Sequence, residues 1–328
     1  GGGPNSVPKI GEVMVSRWAY EALVVEQFKE NDFKQAYVKD YDSKTDDFLI
    51  PVKDFQEGEE VKLYDLEFAE SYWDYKQAYF ISEVNKLLDA IDAQRKRIRK
   101  WRKKIKKAKK RNLDVPPLLV DTTRMKMDYQ NLLKCLDFLA WDLDTVIPKH
   151  LDNLTYLDLK SKHIRKTKKF IDWSNHFYSE QFAKVAQLKD KLSYQVIDHY
   201  GLEISKERGV DTNNIDSISY YGEQYYTELK NNYTNHYLND LMRNALVDDK
   251  IIWEPAKGSF TQIIDPIFKK PKTTFFAHFY APEKKMFGTY WETFSFNLIV
   301  IWVMGVLLYI TLYFDGLKKF LSLFQKNK

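Results

Sequence analysis

Residues 95–111 hold thirteen lysines or arginines in seventeen positions, and the four exceptions, Ile98, Trp101, Ile105 and Ala108, trace one apolar line of a helix. Arg97, Arg99, Lys100, Arg102 and Lys103 are the candidate contact residues of this run. Two roles suit such a surface. It can be a solvated arm tip whose charges face water, or a docking surface for acidic partners, anionic lipid or nucleic acid. Nucleic acid suits it least, because no recognised nucleic-acid fold surrounds the run and Trp101 lies in the apolar line rather than on a stacking platform.

Other chemistry-bearing residues are scattered. The six histidines (150, 163, 176, 199, 236 and 278) show no HExxH and no paired Cys/His spacing, so no metal site is expected. There is no GxxxxGK[ST] loop to cradle nucleotide phosphates and no GxSxG elbow. Adjacent acids such as Asp248 and Asp249 suit a solvated turn better than acid–base chemistry. The expectation is a chain without catalytic, cofactor-binding or metal-binding residues of its own. Cys135 stands alone and forms no intrachain disulfide.

The elements that would position these residues are mostly helical. Over 65–111 a heptad seam runs through Val84, Ile91, Ile98 and Ile105, with Phe80, Leu87, Gln94, Trp101 and Ala108 beside it. Asn112 and Pro116-Pro117 break it. A second run over 118–147 repeats Leu118, Met125, Leu132, Leu139 and Val146, with Tyr129, Leu136 and Leu143 alongside, and ends at Pro148. Two seams joined by a short connection predict an antiparallel helical hairpin. A third helix is expected over 151–200, from Leu157, Ile164, Ile171, Tyr178, Val185 and Leu192, with Gly201 as its stop. Residues 48–52 and 61–64 suggest short strands, 205–250 read as helical, and 251–285 as extended or looped. The fold class is therefore mostly α, an elongated antiparallel coiled-coil or helical-hairpin domain with one C-terminal transmembrane helix.

That last helix is the run Phe294–Phe314, 21 residues without a charge. At about 1.5 Å per residue it matches the roughly 30 Å hydrocarbon core of a bilayer. Tyr290 and Trp291 before it, and Tyr309 and Tyr313 near its far end, suit the two membrane interfaces. In the tail, Leu317, Phe320, Leu321 and Phe324 form an amphipathic face opposite lysines, fit to lie among headgroups. Lys318, Lys319, Lys326 and Lys328 favour a cytoplasmic C-terminus, against Lys284 and Lys285 at the other end. The opening Gly1-Gly2-Gly3-Pro4 lacks the charged start and apolar run of a signal peptide.

Two segments carry a resemblance. Val7-Pro8 through Ser16-Arg17-Trp18-Ala19-Tyr20-Glu21-Ala22-Leu23 to Gln27-Phe28 resembles the segment after the fifth membrane helix of G-type ABC exporter permeases. Asp265-Pro266-Ile267-Phe268, Ala277-His278-Phe279-Tyr280-Ala281-Pro282 and Tyr313-Phe314-Asp315 resemble the approach to and exit from the last helix of bacterial members. Asn231–Asn235 and Leu238–Leu241 are similar to their inserted domain.

The resemblance implies three parts: a membrane-proximal pore-exit helix in 1–34, an extracytoplasmic helical domain over 35–285, and the transmembrane helix and tail over 286–328. It implies the cytoplasmic (inner) membrane as location, a cytoplasmic C-terminus, and Arg17, Trp18, Tyr20 and Glu21 at the pore exit. The same residues could equally serve only to pack their helix against its neighbours. The cassette and five preceding membrane helices of that family lie outside this sequence. The resemblance requires partners to supply them, with ATP and Mg2+ bound on the cassette. A homodimer is one arrangement it allows, facing cargo or an envelope protein. The alternative from physics alone is a tail-anchored coiled-coil scaffold or tether that binds an acidic partner through the basic arm.

Overall fold

The computed structural model describes residues 11–36, 62–112, 114, 117, 120–146, 155–243, 250–254, 259–271 and 277–314. It is mostly helical, and one long composite helix organises it. Helix α3 (Leu63–Asp74) passes through a π-helical turn (Tyr75–Phe80) into α4 (Ile81–Lys110). These 48 residues make a rod of roughly 70 Å. The wider π turn changes the phase of the inward face, so that neighbouring residues, Tyr75 with Lys76 and Phe80 with Ile81, are buried together.

Two helices cover the rod. Helix α5 (Thr122–Asp142) returns beside α4, with Gln94 reaching Asp128. Helix α6 (Ser161–Glu207) runs in the opposite sense from the level of Arg95 back toward the start of α3, Arg95 meeting Ser161 and Lys189 meeting Glu70. The shared core holds Phe80 of the π turn, Val84, Leu88 and Ile91 of α4, Met125, Leu132, Leu136 and Leu139 of α5, and Ile171, Tyr178 and Val185 of α6. Burying such side chains stabilises the arm by about 1.5–3 kcal/mol each before chain entropy is counted. Past Ile98 the seam residues Trp101, Ile105 and Ala108 are only half-buried, because α5 starts level with Ile98.

The expected stripes are the buried ones, and the boundaries differ. Helix α5 begins at Thr122 rather than 118, where Asp121 caps it by accepting from the Arg124 amide at 2.9 Å, and it ends at Asp142, leaving Val146 exposed. Leu88 rather than Leu87 fills the α4 seam. Helix α6 starts at Ser161, so Leu157 lies outside it, and Gly201 does not stop it. The stop is Gly209, at φ +65°, where Val210 N–H bonds Ser205 C=O and Gly209 N–H bonds Lys206 C=O in a Schellman turn. Gly201 instead meets α7 (Ile215–Tyr233). A Cβ on Gly201 would fall 2.1 Å from the Ile218 oxygen, and one on Gly222 would fall 2.1 Å from the Ile197 oxygen. The two helices touch backbone to backbone there. Residues 63–64, expected at the end of a strand, open α3, whereas 48–52 and the tail lie outside the described residues.

The remaining elements are small. Helix α1 (Val15–Lys29) leads into α2 (Asp32–Gln35), and α8 (His236–Met242) follows α7. Strands β1 (Ile251–Glu254) and β2 (Ser259–Gln262) pair antiparallel, as do β3 (Glu283–Met286) and β4 (Thr289–Glu292), whose two-residue turn puts both Phe287 and Gly288 at positive φ. Helix α9 (Thr293–Tyr313) is long and apolar enough to cross a membrane. Thr293, Phe296 and Asn297 are its buried residues, and most of its length is exposed.

Candidate functional site

On α1, Trp18, Glu21, Ala22, Val25 and Phe28 fall at helical spacing and make its buried face. On the first turns of α9, Thr293, Phe296 and Asn297 do the same. The two faces meet. Trp18 packs on Phe296 with ring centres 6.2 Å apart, and the Asn297 amide donates to the Trp18 carbonyl at 3.1 Å and to Glu21 Oε2 at 3.2 Å. Strand β3 delivers Lys284 to the same point: its Nζ donates to Glu21 Oε1 at 2.6 Å, while Lys285, one residue on, faces away over Tyr290. Arg17 completes the group, 3.5 Å from Glu21 Oε2 and 4.1 Å above the Trp18 ring.

Glu21 is fully buried and the Lys284 side chain is 3 % exposed. Charges this far from water persist only when paired and hydrogen-bonded. Two cations and one carboxylate, joined by an amide, thus lock α1, the β3–β4 hairpin and α9 together. Asn297 Oδ1 is buried without a hydrogen-bond donor among the described residues. Thr293 adds a stitch by donating to the Ala281 carbonyl at 2.6 Å.

The Ala277–Pro282 and Asp265–Phe268 segments converge here too. Phe279 stacks on Tyr20 at 6.3 Å and lies under Arg17 at 5.6 Å. His278 Nε2 lies 2.7 Å from the Pro266 carbonyl, which can only accept, so Nε2 carries the proton. Burial lowers the His278 pKa, and Lys269 and Lys284 lower it further against the pull of that carbonyl. Tyr64 donates to the Ile267 carbonyl at 2.6 Å, and Asp265 accepts from Lys250 at 2.9 Å. Phe28 and Val25 of α1 share a core with Ile267 and Phe268, which pack on Tyr64 and Phe68 of α3. Helix α1 is therefore a strut, fixed to α9 through Glu21 and to the base of the rod through Phe28.

The residues singled out from the sequence separate into three places. Arg17, Trp18 and Glu21 form the junction, and Tyr20 stands half-exposed at its edge. Arg97, Arg99, Lys100, Arg102 and Lys103 are all exposed on α4, far along the rod. Tyr290 and Trp291 lie on β4, just before α9; both are exposed, and Tyr309 and Tyr313 stack at 6.1 Å near the far end of α9. Sequence reasoning missed Lys284 and Asn297 as members of the junction. As a flanking charge Lys284 bears on orientation, but in the fold its charge is neutralised by Glu21. The available signal was Asn297, a polar amide inside an otherwise greasy run.

A second buried polar group sits in the π turn. Lys76 Nζ is 3.1 Å from Asp142 Oδ2, and the same carboxylate accepts from Tyr178 at 2.5 Å and from Tyr72 at 3.4 Å. Lys76 also lies 4.1 Å from the centre of the Phe138 ring. Burial lowers its pKa and Asp142 opposes this, while burial and Asp142 together raise both tyrosines. Among the described residues no group of three or more His, Cys, Asp or Glu side chains is placed to hold a metal ion. No protein-family model, no curated protein and no solved structure matches this chain.

Proposed function

We propose that this chain supplies the last membrane helix and the extracytoplasmic helical domain of an ATP-driven exporter of the G-type ABC class. ATP binding and hydrolysis occur on a partner cassette, and the remaining membrane helices come from outside this sequence. Helix α9 anchors the domain in the cytoplasmic membrane with its C-terminal end inside. In this reading the Arg17–Glu21–Lys284–Asn297 junction makes α1 and α9 move as one body, so a tilt of the membrane helix is passed through the α1 strut to the rod.

The observation that supports it most is convergence. The Arg17–Glu21, Asp265–Phe268 and Ala277–Pro282 segments, which carry the resemblance, meet at the point where α9 joins the rest of the protein. The test is topology. Cys135 cannot report it, because it is fully buried and burial pushes its thiol up to about 12. A cysteine in place of the exposed Met127, in a Cys135→Ser background, can. Labelling of Met127→Cys by an impermeant maleimide in intact cells, with co-purification of an ATP-binding cassette, is the expected result. Labelling only after lysis refutes the proposal and favours the tail-anchored scaffold.

A further inference from the structure

A cavity of about 440 Å3 opens near the far end of the rod, where α4, the start of α5 and the chain entering α6 come together. Five cations rim it: Arg95, Arg99 and Arg102 from α4, with Lys160 and Lys162 at the start of α6. The interior is apolar, formed by Met125, Tyr156 and Leu157 among others, and Leu157 is 41 % exposed. The three arginines are spaced i, i+4, i+7, so they share one helix face and cover roughly 10 Å of its length. Arg97 and Lys100 belong to the other faces. The rim thus takes arginine from α4, the cation whose planar fork grips a carboxylate by two hydrogen bonds.

Arg95 is held in place. It donates to Asp92 Oδ1 from Nε at 2.8 Å and reaches Ser161 Oγ at 3.1 Å. No carboxylate pairs with Arg99, Arg102 or Lys162 among the described residues. Cationic excess around an apolar hollow is unfavourable by itself and favourable once an anion with a greasy part enters. The basic surface also continues beyond the cavity, from Lys103 to Arg111, along the exposed end of α4. One small anion would leave that stretch unused, whereas an extended polyanion follows it.

We propose that this end of the arm binds an acidic polypeptide segment, placing an apolar side chain in the cavity and carboxylates on Arg99, Arg102 and the lysines beyond. The site lies about 50 Å along the rod from Lys62, and it does not rest on the transporter reading. A capture site so far from the junction suits an arm that reaches a partner protein.

The test uses the full chain in zwitterionic micelles and fluorescence anisotropy with a dye-labelled peptide of glutamates interrupted by leucines at helical spacing. Arg99→Glu with Arg102→Glu is expected to weaken binding at least ~10-fold, and Leu157→Asp at least ~5-fold. Lys168→Glu with Lys169→Glu, the same charge change at exposed lysines of α6 outside the site, is expected to cost under ~3-fold. Replacing the leucines of the peptide by alanine should cost as much as Leu157→Asp. The proposal is overturned if both charge-reversal pairs weaken binding equally, or if the leucine-free peptide binds as well. Equal affinity for oligothymidine of matched charge, or for phosphatidylglycerol vesicles, overturns it too. Unchanged helical circular dichroism and continued protection of the Cys135 thiol identify variants that remain folded.

Discussion

Among the described contacts of the junction, Glu21 is the carboxylate that Arg17 and Lys284 share, and this makes the mutants unequal. Lys284→Met leaves Glu21 with the Arg17 guanidinium at 3.5 Å and the Asn297 amide at 3.2 Å, a buried but balanced pair. Glu21→Gln keeps a similar shape and some hydrogen bonding, yet it removes the buried carboxylate that Arg17 and Lys284 both contact. Breaking one side of a buried ion pair costs about 3–5 kcal/mol. Glu21→Gln belongs at the top of that range, at about 5 kcal/mol, and Lys284→Met below it, at about 2 kcal/mol. For a chain of this size each kcal/mol moves the melting midpoint by about 1.5 °C. The expected drops are therefore ~7 °C for Glu21→Gln and ~3 °C for Lys284→Met. Circular dichroism melts in micelles at one fixed scan rate, which keeps any irreversible step comparable between variants, measure both. Adding Arg17→Met to Glu21→Gln removes one of the two cations that shared the lost carboxylate and should raise the midpoint again, a non-additivity expected of coupled residues. If Lys284→Met proves the more damaging change, or if Arg17→Met lowers the Glu21→Gln midpoint further, the assignment of charges at the junction is wrong.

Other outcomes follow from the same geometry. Gly222→Ala should lower the melting midpoint by the equivalent of about 1–3 kcal/mol, since its methyl must push α7 off the Ile197 carbonyl; an unchanged melt refutes the backbone contact. The His278 pKa is lowered in the folded state, so the unfolded chain binds the extra proton first as pH falls below about 6.5. Stability should decline between that pH and the lower folded-state pKa, and His278→Gln should flatten this slope in pH-dependent melts. In the π turn, Asp142→Asn should destabilise more than Lys76→Met, because the first strands a buried ammonium among aromatic rings while the second leaves Asp142 accepting from Tyr72 and Tyr178. Cys135, with its thiol pushed up to about 12, should react with maleimide at neutral pH only as fast as the arm opens, so its labelling rate rises with denaturant rather than remaining flat.

Much of the helical architecture was legible because it is written in local period. A seven-residue repeat of Ile171, Tyr178, Val185 and Leu192 needs no knowledge of the neighbours to mark a buried stripe, and 21 uncharged residues mark α9 by length alone. Helix ends were less legible, although Asp121 and Gly209 carry cap and stop signals that apolar periodicity does not register. Gly201 shows why composition misleads there. A glycine can end a helix or admit a neighbour's backbone, and only the position of Ile218 chooses between these.

The amino-acid order by itself fixed which faces are greasy, which helix is apolar throughout, and where the basic run lies, since each depends on residues a few places apart. Tertiary structure alone decided that Glu21 answers Lys284, 263 positions away, and that Asn297 joins them. It also decided that Arg95, Arg99 and Arg102 border a cavity with Lys160 and Lys162. The reason is physical: a side chain's charge is known from its type, but whether that charge meets water, a counter-ion or a hollow depends on which distant segment packs against it.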